Sequence, residues 1–210
     1  MPEKTQHNTK KKSLYASQAK TERVANLRLL YWQTVTSFLV KNLVFLDETG
    51  FNLGKKRIYG RSQKGTRVVD YRPYYRGENL TIVSAICSQG ILGTMTLNGS
   101  INTQIFMTYI KDILAPSLWP GAVVIMDNLS SHKSQKVIEI LSEVGAKVLV
   151  LPPYSPDFNP IDKFWFILKE YLRSLVTMTR DELEKGLVDC CDSLTKEQIT
   201  KLFSYCCYCN

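Results

Sequence analysis

Apolar residues follow two rhythms along the chain, and the change between them near position 41 divides it. Before that point Val24, Leu27, Tyr31, Val35 and Phe38 recur every three or four residues, the spacing that lines one side of an α-helix. Residues 1–15 ahead of this lead-in helix are polar and lysine-rich, and predict a disordered arm. Beyond position 41 the pattern is that of strands: LVFLD (43–47), LTIVSAIC (80–87) and GILGTMTL (90–97), the last two joined by a turn at Ser88-Gln89-Gly90. A helical stretch follows. Asn102 or Thr103 caps it, Ile105, Phe106, Tyr109, Ile110, Ile113 and Leu114 share one face, and Pro116 and Pro120 end it.

AVVIMD (122–127) is apolar up to its last residue, as expected of a central strand covered on both faces. A helix over 134–144, stopped by Gly145, leads to the strand KVLVLP (147–152). After the loop PPYSPDFNP, Asn159 stands as N-cap and Pro160 as first residue of a helix whose buried stripe is Ile161, Phe164, Trp165, Leu168, Leu172 and Leu175. Two more helices open with capping boxes, Thr179-x-x-Glu182 and Thr195-x-x-Gln198. The order β-β-β-α-β-α-β-α predicts an α/β fold, a mixed five-stranded sheet with helices on both faces and a helical C-terminal tail. A length of 210 residues suits one domain with appendages. The divisions are 1–40, a basic arm and lead-in helix; 41–176, the α/β domain; and 177–210, a helical extension.

Charge narrows the class of partner. Twenty-seven Lys and Arg against 19 Asp and Glu leave a formal +8, which favours a polyanion because cations on the protein release counterions condensed on nucleic acid. The excess is concentrated between the first and second strands. Lys55, Lys56, Arg57, Arg61, Lys64, Arg67, Arg72 and Arg76 face the single acid Asp70, with Tyr59, Tyr71, Tyr74 and Tyr75 interleaved. This interleaving permits stacking on unpaired bases beside phosphate contacts. The bland alternative is a solvated hairpin covering the sheet. No apolar run approaches the roughly 18 residues of a membrane span and no signal peptide is evident, so a cytoplasmic, DNA-associated protein is expected. Cys190, Cys191, Cys206, Cys207 and Cys209 crowd the C-terminus. Free thiols are the expectation in a reducing compartment, the alternative being a zinc site of Cys206 and Cys209 with Cys190 or Cys191.

Three acids occupy positions that chemistry can use. Asp47 closes the first strand, Asp127 closes the fourth, and Asp162 lies in the first turn of the helix after the fifth. If the first and fourth strands are neighbours, their ends lie about 4.8 Å apart. That spacing suits carboxylates gathered round two divalent ions about 3.5–4 Å apart, as in in-line phosphoryl displacement, with Mg²⁺ or Mn²⁺ as the hard cation. Singly, each acid has a plainer role: two strand ends and an acid offsetting a helix dipole. Glu48 points to the opposite face if the strand continues, and is at most a helper. His132 is expected to be satisfied within its loop, and Trp165 to pack in the core.

The blocks VFLDETGF, VVIMDNLSSHK and LPPYSPDFNPIDKFW, in this order and with 34 residues between Asp127 and Asp162, closely resemble the three signature blocks of the DDE (Asp-Asp-Glu) transposases. The similarity is to the group that joins bacterial insertion-sequence-630-like elements with mariner elements, and it spans about residues 41–176. It implies a ribonuclease H-like catalytic domain in which Asp47, Asp127 and Asp162 are the catalytic, metal-holding positions. It further implies two Mg²⁺ or Mn²⁺ ions, cleavage and transfer of DNA strands, transposon ends and target DNA as substrates, a homodimer or higher assembly on DNA, and the bacterial nucleoid as location for the insertion-sequence branch. Asp162 matches the mariner branch; the insertion-sequence branch usually carries Glu there. Relatives begin with helix-turn-helix modules, for which the first 40 residues leave no room. A nuclease that cuts without joining, or an inactive DNA-binding remnant, are the rival readings.

Overall fold

The computed structural model describes residues 17–71, 74, 77–127 and 134–208. The expected arm (1–15), His132, Arg72, Arg76, Tyr75 and Cys209 lie outside the described residues. The elements are α1 (Glu22–Val35), β1 (Leu43–Asn52), β2 (Asn79–Cys87), β3 (Gly90–Asn98), α2 (Thr103–Thr108), β4 (Val123–Met126), α3 (Gln135–Glu143), β5 (Lys147–Val150), α4 (Pro160–Leu175), α5 (Arg180–Ser193) and α6 (Lys196–Tyr205). The strands form one sheet in the order β3-β2-β1-β4-β5. β1 pairs antiparallel with β2 and parallel with β4, so the sheet is mixed, as expected.

Alternation along β1 and β4 divides the core between the two faces. Leu43, Phe45, Val123 and Ile125 pack with Ile161, Phe164, Trp165, Leu168 and Leu172 of α4, and with residues of α1, α5 and α6. Val44, Leu46, Val124 and Met126 pack on the other side with Phe106, Leu114, Val137 and Leu141. Asn102 caps α2 by accepting from the Ile105 N–H, and the helix runs on through a π-helical turn, Tyr109–Leu114. Both C-terminal capping boxes form as their sequence spacing predicts.

Three details depart from the sequence pattern. β1 does not stop at Asp47 but runs to Asn52, because β2 supplies antiparallel partners from Val44 to Asn52 while β4 pairs only with Leu43, Val44 and Phe45. Leu27 is exposed on α1, whose buried positions are Val24, Tyr31 and Val35. Leu175, the last of the expected α4 stripe, is also exposed, since the helix ends there on a left-handed Val176. In β3 the pairing slips by one residue at Gly93, whose φ of 59° and contact with Ile113 leave no room for a Cβ.

Candidate active site

The parallel register of β1 on β4 aligns Leu43 with Val123, Val44 with Val124 and Phe45 with Ile125. Carried two residues further, the same offset sets Asp47 level with Asp127. Both then belong to the face that carries Phe45 and Ile125, where α4 packs. The strands part company just beyond Phe45 and Ile125: β1 continues beside β2, and β4 ends at Met126. This fork opens a cleft, and Asp162 enters it from the first turn of α4. All three carboxylates are half-buried. Glu48 falls on the opposite face, as the continued alternation of β1 requires.

Burial pushes the Asp47 carboxyl up to about 7, a hydrogen bond from Trp165 holds it down, and the Asp162 charge pushes it further up. The bond is geometric as well as electrostatic: Trp165 Nε1 donates to Asp47 Oδ2 over 3.0 Å. Asp162 is also raised, chiefly by burial; the Asn159 side chain, Lys163 and Lys169 act against that, and Asp127 adds to it. Asn159 stands at the expected N-cap position, yet its side chain makes no capping bond. Its buried Oδ1 has no hydrogen-bond partner among the described residues. Lys169 is a cation of this cleft. Burial and Arg173 lower its proton affinity, and Asp47 and Asp162 raise it.

Trp165 and Lys169 are groups that the sequence pattern alone does not assign to the site, Trp165 reading there as core packing. It is buried, and it also grips a carboxylate. The signal is present in the spacing, since positions 162, 165 and 169 lie along one helical face.

A hard divalent cation fits this donor set in kind. The groups available are carboxylate oxygens with an unsatisfied amide oxygen beside them, and burial together with the Asp162 charge raises Asp47. Among the described residues, no three of His, Cys, Asp and Glu stand close enough together to hold one ion. The acids nevertheless act on one another: the Asp162 charge raises Asp47, and the Asp127 charge raises Asp162. The zinc alternative at the C-terminus needs Cys209, which lies outside the described residues. Burial pushes the Cys206 thiol up to about 11 and the Cys191 thiol up to about 12, the state of inert structural thiols.

The basic segment between β1 and β2 is clasped at its base by Leu53 N–H on Glu78 O and Gly54 N–H on Thr177 O. Two of its cations expected to meet DNA are engaged within the protein. Lys56 pairs with Asp70 at 2.6 Å and donates to Tyr71 O. Arg57 donates twice to Glu170 O on α4, one residue from Lys169. Lys55, Arg61, Lys64 and Arg67 are exposed and have no ion pair among the described residues. With Tyr59, Tyr71 and Tyr74, the segment borders an open groove of about 890 Å³.

The family model of the DDE superfamily endonucleases matches residues 42–184, and the chain belongs to that superfamily. No curated protein matches it by sequence. The fold is similar to the Mos1 transposase paired-end complex with left transposon end (TM-score 0.75, 17% identity), covering 94% of this chain and 63% of that one. It is similar also to the mariner Mos1 paired end complex with Mg (TM-score 0.72, 18% identity), covering 97% of this chain and 66% of that one. Against the catalytic domain of Mos1 mariner transposase the TM-score is 0.67 at 14% identity, with 91% of this chain and 90% of that one covered. The chain thus spans less than two thirds of the protein chain in the Mos1 complexes and nine-tenths of the isolated catalytic domain, and its architecture is ribonuclease H-like. Among the described residues, no helix is long and apolar enough to cross a membrane.

Proposed function

We propose that this chain is the catalytic domain of a mariner-like DNA transposase, with Asp47, Asp127 and Asp162 as its catalytic, metal-holding residues. The observation that carries the reading is that the β1–β4 register sets Asp47 and Asp127 on the face where α4 packs, with Asp162 in the first turn of α4 near enough for the charges to act on one another, in a chain of the DDE superfamily. Two divalent ions, Mg²⁺ or Mn²⁺, supply activation of the attacking oxygen and stabilisation of the leaving oxygen when bound. The chain's own residues do the rest. Trp165 holds one oxygen of Asp47 and so orients the other into the cleft. Lys169, which Asp47 and Asp162 attract, is the cation offered to a substrate phosphate, and binding of cations by the two acids would free its charge for that role.

The substrate is DNA: water cleaves a phosphodiester at the element end, and the freed 3′-hydroxyl then attacks target DNA. Lys55, Arg61, Lys64 and Arg67 contact phosphates directly, and Arg72 and Arg76 belong to the same basic segment. Lys56 and Arg57 hold that segment in shape and against α4. The Mos1 complexes, which hold paired transposon ends and in two cases Mn or Mg, support a dimer or higher assembly on DNA for this chain. Its place of work would be the DNA of its host, the nucleoid in a bacterium.

The test is incubation with supercoiled plasmid and Mn²⁺ or Mg²⁺. Nicked circles are expected from the wild type, with joined products when free 3′-hydroxyl ends are added, and none of either from Asp127→Asn. Equal nicking by the purified Asp127→Asn protein contradicts the assignment. Nicking that never yields joined products identifies a nuclease without strand transfer.

A further inference from the structure

The three acids are not held alike. Asp47 lies within a paired strand and Asp127 directly follows one, whereas Asp162 lies in the first turn of α4, directly after the turn-rich loop 151–159. That loop bends through Tyr154 at a left-handed φ of 57°, and then through a short 3-10 turn, Pro156–Phe158. Its last residues lead directly into Asp162: the Asp162 N–H donates to Asn159 O, and the Asn159 side chain acts on the Asp162 carboxylate. The packing of α4 sets the helix, and Asn159 ties its first turn, with Asp162, to the loop.

Phe158 is gripped from parts of the chain that lie outside residues 42–184, the span of the superfamily match. Arg28 of α1 forms a bidentate pair with Asp157, Nη1 to Oδ1 at 2.9 Å and Nη2 to Oδ2 at 2.5 Å, and Nη1 also donates to the buried Ser155 hydroxyl at 2.8 Å. The same guanidinium lies 4.0 Å over the centre of the Phe158 ring. Tyr31 and Trp32 stack on that ring at centroid distances of 5.7 and 5.2 Å. From the other end of the chain, the Tyr208 hydroxyl donates to Phe158 O at 2.9 Å. Tyr208 has one proton to give, so the 2.7 Å contact between the two buried hydroxyls has Tyr31 as donor. The relay runs Tyr31 to Tyr208 to the Phe158 carbonyl.

An isolated surface pair such as Arg28 with Asp157, with Asp157 itself more than half exposed, would be worth little by itself. Here the pair is bidentate, and it is joined to a ring stack and a carbonyl bond on the next residue. Such a combination fixes geometry more than it adds stability. We infer that Arg28, Tyr31, Trp32 and Tyr208 form a clamp on Asp157 and Phe158 that positions Asp162 in the cleft, so that α1 and the C-terminal residues belong to the active-site apparatus. The inference rests on the reading of Asp162 as a metal-holding residue. Arg28 is in this sense a positioning residue, acting through Asp157 and Phe158.

The experiment is Mn²⁺ binding to the full chain, followed by the electron paramagnetic resonance signal of free Mn²⁺, in a double-mutant cycle. Residues that orient a metal ligand typically change affinity by about 10- to 100-fold when removed. Arg28→Met is expected to weaken Mn²⁺ binding by about tenfold, and Arg28→Lys by less, because the charge stays but the fork is removed. In an Asp162→Ala background, Arg28→Met is expected to change the residual affinity no further, since the clamp acts through Asp162. Tyr208→Phe keeps the ring and removes only the relay, so it serves if Arg28→Met does not fold, and weaker Mn²⁺ binding is again expected. Wild-type affinity in folded Arg28→Met or Tyr208→Phe overturns the inference, as does an Arg28→Met effect of equal size with and without Asp162. A wild type that binds no Mn²⁺ overturns the reading of the site itself, and this inference with it.

Discussion

Trp165 Nε1 donates to Asp47 Oδ2 over 3.0 Å, joining a buried indole on α4 to a half-buried carboxylate in the middle of β1. A hydrogen bond to a charged group contributes about 1.5–3 kcal/mol net. Trp165→Phe keeps most of the ring and removes the donor. The expected loss of stability is about 2 kcal/mol at pH 8, where Asp47 is ionised, and clearly less at pH 5, where it carries a proton. Urea unfolding at the two pH values measures both. An equal loss at pH 5 and pH 8 would mean that the indole acts by packing alone.

The Asp47 carboxyl itself gives a pH dependence whose sign follows from its environment. Its ordinary value of 3.8 is raised to about 7 by burial, so the folded protein holds the proton more tightly than the unfolded chain. The stability from this group is complete below about pH 4 and declines as pH rises through about 7; a shift of this size corresponds to at most about 4 kcal/mol. Asp47→Asn is therefore expected to stabilise the metal-free protein at pH 8 by about 2 kcal/mol and to flatten its stability between pH 4 and 7. Thermal unfolding across that range, with chelator present, is the check. Mn²⁺ affinity of the wild type is expected to run oppositely, rising up to about pH 7 as the competing proton leaves.

At the third acid the length of the side chain separates two roles. A ligand tolerates Asp162→Glu, with activity retained or raised, and loses function on Asp162→Asn. A residue serving only the helix dipole would show little change in either, since stability should move by at most about 1 kcal/mol. Plasmid nicking by the two purified variants distinguishes them, and equal activity in all three proteins would leave Asp162 a purely structural part.

For the basic segment, the structure separates cations that face solvent from those already engaged. Changing Lys55, Arg61, Lys64 and Arg67 together to Ala is expected to weaken binding to unrelated DNA sequences alike. It should flatten the slope of log affinity against log salt by about 0.9 for each duplex phosphate no longer neutralised. Fluorescence anisotropy over a salt series reads both quantities. An unchanged slope and affinity would move the DNA path elsewhere on the protein.

The sheet, the helices and the three acids are legible in the sequence because each obeys a local rule: apolar runs for covered strands, capping boxes at Thr179 and Thr195, an Asn-Pro start to α4. What escapes is tertiary. The extension of β1 past Asp47 depends on pairing with β2, which no local period reveals. Trp165 and Lys169 sit at readable helical offsets from Asp162, but their roles emerge only once α4 is packed on the Asp47 face. Arg28 gives least warning of all. A single cation on a lead-in helix meets Asp157 only through a fold that joins residues 129 positions apart. Lys56 and Arg57 read as DNA-binding cations on charge alone, and only their partners Asp70 and Glu170 show what else they hold.

Whether Asp47, Asp127 and Asp162 serve one metal site is answered by calorimetric titration of Mn²⁺ into the wild type and into Asp47→Asn, Asp127→Asn and Asp162→Asn. Binding by the wild type, with affinity severely reduced in each variant while the fold is retained, is the expected result. Wild-type affinity in any one of the folded variants would remove that aspartate from the site and contradict the three-aspartate assignment.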